Sequence, residues 1–177
     1  MQYPQRRDRR DDGFTLIELL IVVAIISIIA AFAVPGLMNT RMSGNELSAT
    51  QSLKAINLAQ VQYSSGCGNQ GFAVAFPTLA TPPPGMSEPY LSADLAAATP
   101  EKAGYRFTLA PGAGAAAGPN DCNGTGTQTA YYVTAVPTAF GSSGSKSYAT
   151  NQSNTIWQVM AAAAPAEPFG PPATPLR

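Results

Sequence analysis

Phe14-Thr-Leu-Ile-Glu-Leu-Leu-Ile-Val-Val-Ala-Ile-Ile-Ser-Ile-Ile-Ala-Ala-Phe-Ala-Val34 is the stretch that decides the fold. Thr15, Glu18 and Ser27 are its only polar side chains. About 20 apolar residues wound as an α-helix cross a bilayer, so this run is long enough to do so. Ahead of it, residues 1–13 are short and polar, with Arg6, Arg7, Arg9 and Arg10 set among Asp8, Asp11 and Asp12. The net positive charge of that segment favours a cytoplasmic N-terminus. The remainder of the chain is then expected outside the cytoplasm.

Pro35-Gly36 follows the run and would ordinarily end a helix. The pattern beyond it argues for resumption. Met42, Ala49, Leu53, Ile56 and Tyr63 recur at steps of three, four or seven, flanked by Leu47, Leu58 and Val61, which is the mark of an amphipathic helix. Ser64-Ser65-Gly66 should stop it. One element from Phe14 to Tyr63 would measure roughly 75 Å. Its first half, residues 14–35, suits lipid, and its second half, residues 36–65, needs a globular domain to cover the apolar stripe.

That domain, residues 66–160, reads as mostly β. Tyr105, Phe107 and Leu109 alternate along one face, and residues 130–136 and 155–160 are rich in aromatic and β-branched side chains. A shorter strand is expected at Lys146 to Ala149, between the turn-like Gly141-Ser-Ser-Gly144 and Asn151-Gln-Ser-Asn154. The stretch containing Thr81-Pro-Pro-Pro-Gly85 is irregular, with a short helix expected at 93–98. The fold class is therefore α+β, a long N-terminal helix packed on an antiparallel sheet of three or four strands. Residues 161–177 hold five prolines and read as a disordered or polyproline-like tail.

Composition removes several functions. Charged residues are 11% of the chain and the net charge is +0, which gives no reason to expect nucleic acid as a partner. There is no histidine, so the commonest general base and metal ligand are both missing. No metal site, cofactor or catalytic constellation is expected, and an enzyme is disfavoured. The glycine-rich Pro111-Gly-Ala-Gly-Ala-Ala-Ala-Gly118 lacks a following Gly-Lys-Ser/Thr and reads as a loop rather than a phosphate cradle. Cys67 and Cys122 suggest one disulfide if the chain is exported, and two buried thiols if it is cytosolic.

Gly13-Phe-Thr-Leu-Ile-Glu18, with the apolar run and Pro35 behind it, resembles the N-terminal signature of type IV pilins and type II secretion pseudopilins. A weaker likeness continues through Asn45-Glu-Leu-Ser-Ala, Ser52-Leu-Lys-Ala-Ile-Asn, Gly104-Tyr-Arg-Phe-Thr, Tyr132-Val-Thr-Ala-Val-Pro137 and Ser147-Tyr-Ala-Thr-Asn-Gln-Ser153. The resemblance implies a pilin-like fold and a prepilin leader at residues 1–13. A prepilin peptidase would cut between Gly13 and Phe14 and methylate the new Phe14 amine. Glu18 would neutralise the Phe14 amine of a neighbouring subunit, and Pro35 with Gly36 would let the helix unwind locally in a filament. The implied partners are copies of the chain, the peptidase, an assembly ATPase and a platform membrane protein. The precursor would sit in the bacterial inner membrane, then move to a surface pilus or a periplasmic pseudopilus.

Two other readings stand beside this one. Ala31-Phe-Ala33 fits the cleavage pattern of an ordinary secretory signal, which would release a secreted binding module. Against it stand Glu18 inside the apolar run and a run longer than the usual 7–15 residues. Within the resembled family, a major pseudopilin would carry a calcium loop near its C-terminus. The only acidic residue after Asp121 is Glu167, which favours a pilin or a minor subunit.

Overall fold

The computed structural model describes residues 14–176. The leader expected at residues 1–13, Gly13 with it, lies outside the described residues. The chain divides into two units, one ending at Met38 and the other beginning at Asn39. Helix α1 (Leu16–Gly66) contributes to both.

In the first unit every described residue is helical or leads into the helix, and every one is exposed. Thr15 and Glu18 start the helix as a capping box. The Glu18 N–H donates to Thr15 Oγ1 at 3.2 Å, and the Thr15 N–H donates to Glu18 Oε2 at 3.4 Å. Pro35 lies inside α1; it has no N–H to give the carbonyl four residues back.

The second unit is built on the rest of α1. Ala49, Leu53, Ile56, Ala59 and Tyr63 are buried at helical spacing, while Leu47, Leu58 and Val61 on its other side are exposed. After Gly66 the carbonyl of Tyr63 accepts from the N–H groups of both Cys67 and Gly68 and closes the last turn. The strands that follow are β1 (Phe72–Ala73), β2 (Glu101–Lys102), β3 (Tyr105–Pro111), β4 (Ala117–Asn120), β5 (Gly126–Gln128), β6 (Tyr131–Pro137), β7 (Ser147–Asn151), β8 (Trp157–Val159) and β9 (Thr174–Pro175). A four-residue helix, α2 (Phe76–Leu79), and a 3-10 turn at Ala93–Leu95 fill the stretch between β1 and β2.

The main sheet is antiparallel throughout, in the order β2-β3-β6-β7-β8-β9. Its centre comprises the four strands expected from the sequence, and the edges add two-residue strands. Tyr105, Phe107, Tyr131, Val133, Ala135 and Tyr148 join the buried residues of α1 in one core. Burying each of the large side chains contributes about 1.5–3 kcal/mol. Polar bonds fix the helix in register with the sheet. Asn57 Nδ2 donates to Thr150 Oγ1 at 2.9 Å, and the Tyr131 hydroxyl donates to Asn57 Oδ1 at 3.1 Å. Glu46 Oε1 accepts from the Ser145 N–H at 2.9 Å and from its hydroxyl at 2.8 Å.

Two features depart from the sequence reading. A second, three-stranded sheet of order β1-β5-β4 forms where loop was expected. Its strands are poor in β-formers, and close approach holds them together. Gly71 and Gly118 both press on Thr127, where an added Cβ would meet its Oγ1 at 2.1 and 2.4 Å.

Of the tail expected to be disordered at 161–177, the described residues, 161–176, are ordered against the sheet. As far as Leu176 the segment lies along the sheet. Phe169 stacks on Trp157 at 5.4 Å, Glu167 accepts from the Ala113 N–H at 2.7 Å, and β9 pairs with β8. One aromatic and one carboxylate anchor a chain whose prolines already limit its unfolded freedom.

Candidate assembly site

The residues singled out by sequence fall into sets within each unit. In the first, Phe14 stands 89% exposed. The Glu18 carboxylate is turned back onto Thr15, whose hydroxyl donates to Oε2 at 3.3 Å in addition to the backbone bond. Sequence reading registered Thr15 only as a polar interruption. Thr-x-x-Glu ahead of an apolar run is itself a capping signal that would have found it. From Leu16 to Met38 the helix offers nothing but uncovered apolar side chains besides Glu18, Ser27 and the small residues. Ser27 returns its hydroxyl to the Val23 carbonyl at 2.7 Å, so it presents no spare donor to an apolar surrounding. α1 is long and apolar enough to cross a membrane.

In the second unit Cys67, at the end of α1, is bonded to Cys122 on the turn between β4 and β5. The Cys122 N–H also donates to the Cys67 carbonyl at 2.9 Å. The cross-link closes a separation of 55 positions, worth about 4 kcal/mol in the chain-entropy account. Next to it, Asp121 organises the turn. Its Oδ1 accepts the N–H groups of Asn123 and Thr125 at 2.9 and 2.6 Å, and its Oδ2 accepts the buried Tyr63 hydroxyl at 2.8 Å. Burial first, then the bond and charge of Asp121, push the Tyr63 phenol well above the ordinary tyrosine range. Neither Asp121 nor Tyr63 was legible as a pair, because they lie 58 positions apart.

Glu167 is likewise committed, to the Ala113 N–H and to Asn151 Nδ2. Among the described residues no group of three or more acidic or thiol side chains is placed to hold a metal.

Residues 8–34 match the model of the prokaryotic N-terminal methylation motif. The chain is 45% identical over 60 residues to the type IV major pilin protein PilA of Myxococcus xanthus, which covers 34% of this chain and 27% of that one. It is 37% identical over 78 residues to the type IV wide pilus major component PilA4 of Thermus thermophilus, covering 42% and 60%. It is 34% identical over 55 residues to the type II secretion system core protein G of Aeromonas hydrophila, covering 31% and 38%. The likeness thus spans less than two thirds of each of these relatives. No solved structure matches. Over the matched segments the chain is thus similar to type IV pilins and to type II secretion core proteins G, and residues 8–34 fit the N-terminal methylation motif.

Proposed function

We propose that the chain is a structural subunit of a type IV pilus, made as a membrane-anchored precursor and assembled through α1. The observation that carries this reading is the fully uncovered apolar first part of α1, most of which lies within the methylation motif. Such a surface is stable only in lipid or against other helices. Lipid serves before assembly, and the helices of other copies serve afterwards. In this reading a prepilin peptidase cuts between Gly13 and Phe14 and methylates the Phe14 amine. Glu18 then exchanges its bond to Thr15 for the amine of a neighbouring copy. Pro35-Gly36 is the point at which the helix yields. An assembly ATPase and a platform membrane protein supply the work of extraction. The chain itself performs no catalysis.

A type II secretion pseudopilin is the second reading, favoured by the core protein G relatives. The carboxylates of the globular unit tilt the choice toward a pilus. Asp121 and Glu167, the acids nearest the C-terminus, are already spent on internal donors. A calcium loop needs six to eight oxygen ligands.

Intact and N-terminal peptide mass spectrometry on membranes and on sheared surface material tests the reading. A chain beginning at methylated Phe14 in the sheared fraction is the expected result. A chain beginning at Val34 would mean a conventional secreted protein.

A further inference from the structure

The charges of the second unit almost cancel internally. Lys102 pairs with Asp94, Arg106 with Glu101, and Lys146 with Glu46. Asp121 and Glu167 are satisfied by hydrogen bonds. Among the described residues of this unit, that leaves one acid, Glu88, and two bases, Arg41 and Lys54, without such a partner.

Glu88 and Lys54 each sit beside exposed apolar surface. Lys54 borders a shallow depression on α1 formed with Asn57, Leu58, Val61 and Asn154, in which Leu58 is 58% exposed. Glu88 follows Met86, which is 67% exposed, on the loop between α2 and the 3-10 turn. That loop is preorganised. Pro83-Pro84-Gly85-Met86 forms a tight turn, with Gly85 at φ +82° and the Met86 N–H donating to the Pro83 carbonyl at 3.0 Å. Pro83 is buried and residues 84–88 all project into solvent. A knob already held in shape loses little entropy on docking.

We propose that Met86 and Glu88 of one copy dock on the Lys54–Leu58–Val61 face of α1 in a second copy, Met86 entering the depression and Glu88 pairing with Lys54. The inference rests on the filament reading above. Knob and groove are different surfaces of one molecule, so the contact is heterologous, the kind that propagates copies into an open helical array. Tyr90, at the foot of the loop, packs edge-on against Tyr63. Tyr63 is 63 − 54 = 9 residues along α1 from Lys54, or about 14 Å. Each contact therefore offsets successive copies along the helix axis. Arg41 lies outside the depression and plays no part.

The test is proximity in assembled filaments. Lys54→Cys and Glu88→Cys together, with the native Cys67–Cys122 bond intact, should give disulfide-linked dimers and longer ladders on mild oxidation, and neither single variant should. Filaments of the double variant that yield only monomer overturn the proposal. If the wild-type chain itself forms no filaments, the filament reading fails instead. Should the cysteine pair block assembly, charge exchange decides. Glu88→Lys and Lys54→Glu are each expected to lower sheared filament yield about tenfold, and their combination to restore most of it. Single variants that assemble normally, or a combination no better than either, overturn the proposal.

Discussion

Glu18 holds two positions at once in the chemistry of the first turn. It caps its own helix through Thr15, and in the proposed function it must meet a neighbour's amine. The two roles separate by substitution, because glutamine retains the reciprocal bond of a capping box while losing the charge. Glu18→Ala should weaken the helix start by about 1 kcal/mol and abolish filaments. Glu18→Gln should leave the helix start intact and still abolish them. Filaments from Glu18→Gln in sheared fractions would show that capping alone is the role.

The tyrosines carry a second residue-scale prediction. Burial, as the leading cause, raises the phenols of Tyr63, Tyr105, Tyr131 and Tyr148 above the ordinary tyrosine value. An unfolded chain releases these protons near pH 10 and the folded one retains them. Their contribution to stability is thus intact below about pH 10 and is lost as pH rises beyond it. In detergent-solubilised protein, tyrosinate absorbance and loss of secondary structure should rise together. Ionisation of these four phenols near pH 10 in an intact fold would contradict it.

Among elements, α1 was the most legible and the small sheet the least. A period of 3.6 marked Ala49, Leu53, Ile56 and Tyr63, and these are the residues the core takes. Glu18 stood out for a related reason, since one carboxylate inside an apolar run demands a partner. β4 and β5 are spelled with glycine, proline, asparagine and threonine, so local preference argued against them. Their pairing also depends on Thr127 meeting Gly71 from a distant part of the chain, information that no short window of sequence contains. The two faces of α1 predict opposite mutational behaviour. Leu53→Ala should cost about 2–5 kcal/mol in thermal or denaturant unfolding. Leu58→Ala should change stability by no more than about 0.5 kcal/mol while lowering filament yield. Equal effects on unfolding would remove the distinction between a core face and an assembly face.

For the molecule as a whole, the C-terminal segment belongs to the folded unit. Proline content hid this because the anchoring contacts join residues far apart, Phe169 to Trp157 and Glu167 to Ala113. A chain ended after Met160 should lose about 2–4 kcal/mol of stability through uncovered aromatic surface. It should also aggregate at concentrations the full chain tolerates. Unchanged melting would mean that the segment only decorates the sheet.

The sheet edges bear on how copies could join in the proposed filament. At the borders of the main sheet stand Glu101–Lys102 and Thr174–Pro175; at those of the small one, Phe72–Ala73 and the Pro119-bearing strand. Each is two residues long or interrupted by proline, so none offers a row of free amides on which a foreign strand could seat. In the proposed membrane-anchored precursor, these edges would protect crowded copies from the cross-β route, whose products are close to permanent. In the proposed filament every backbone ladder stays closed within its own subunit, a bonding pattern that would let copies part without unfolding.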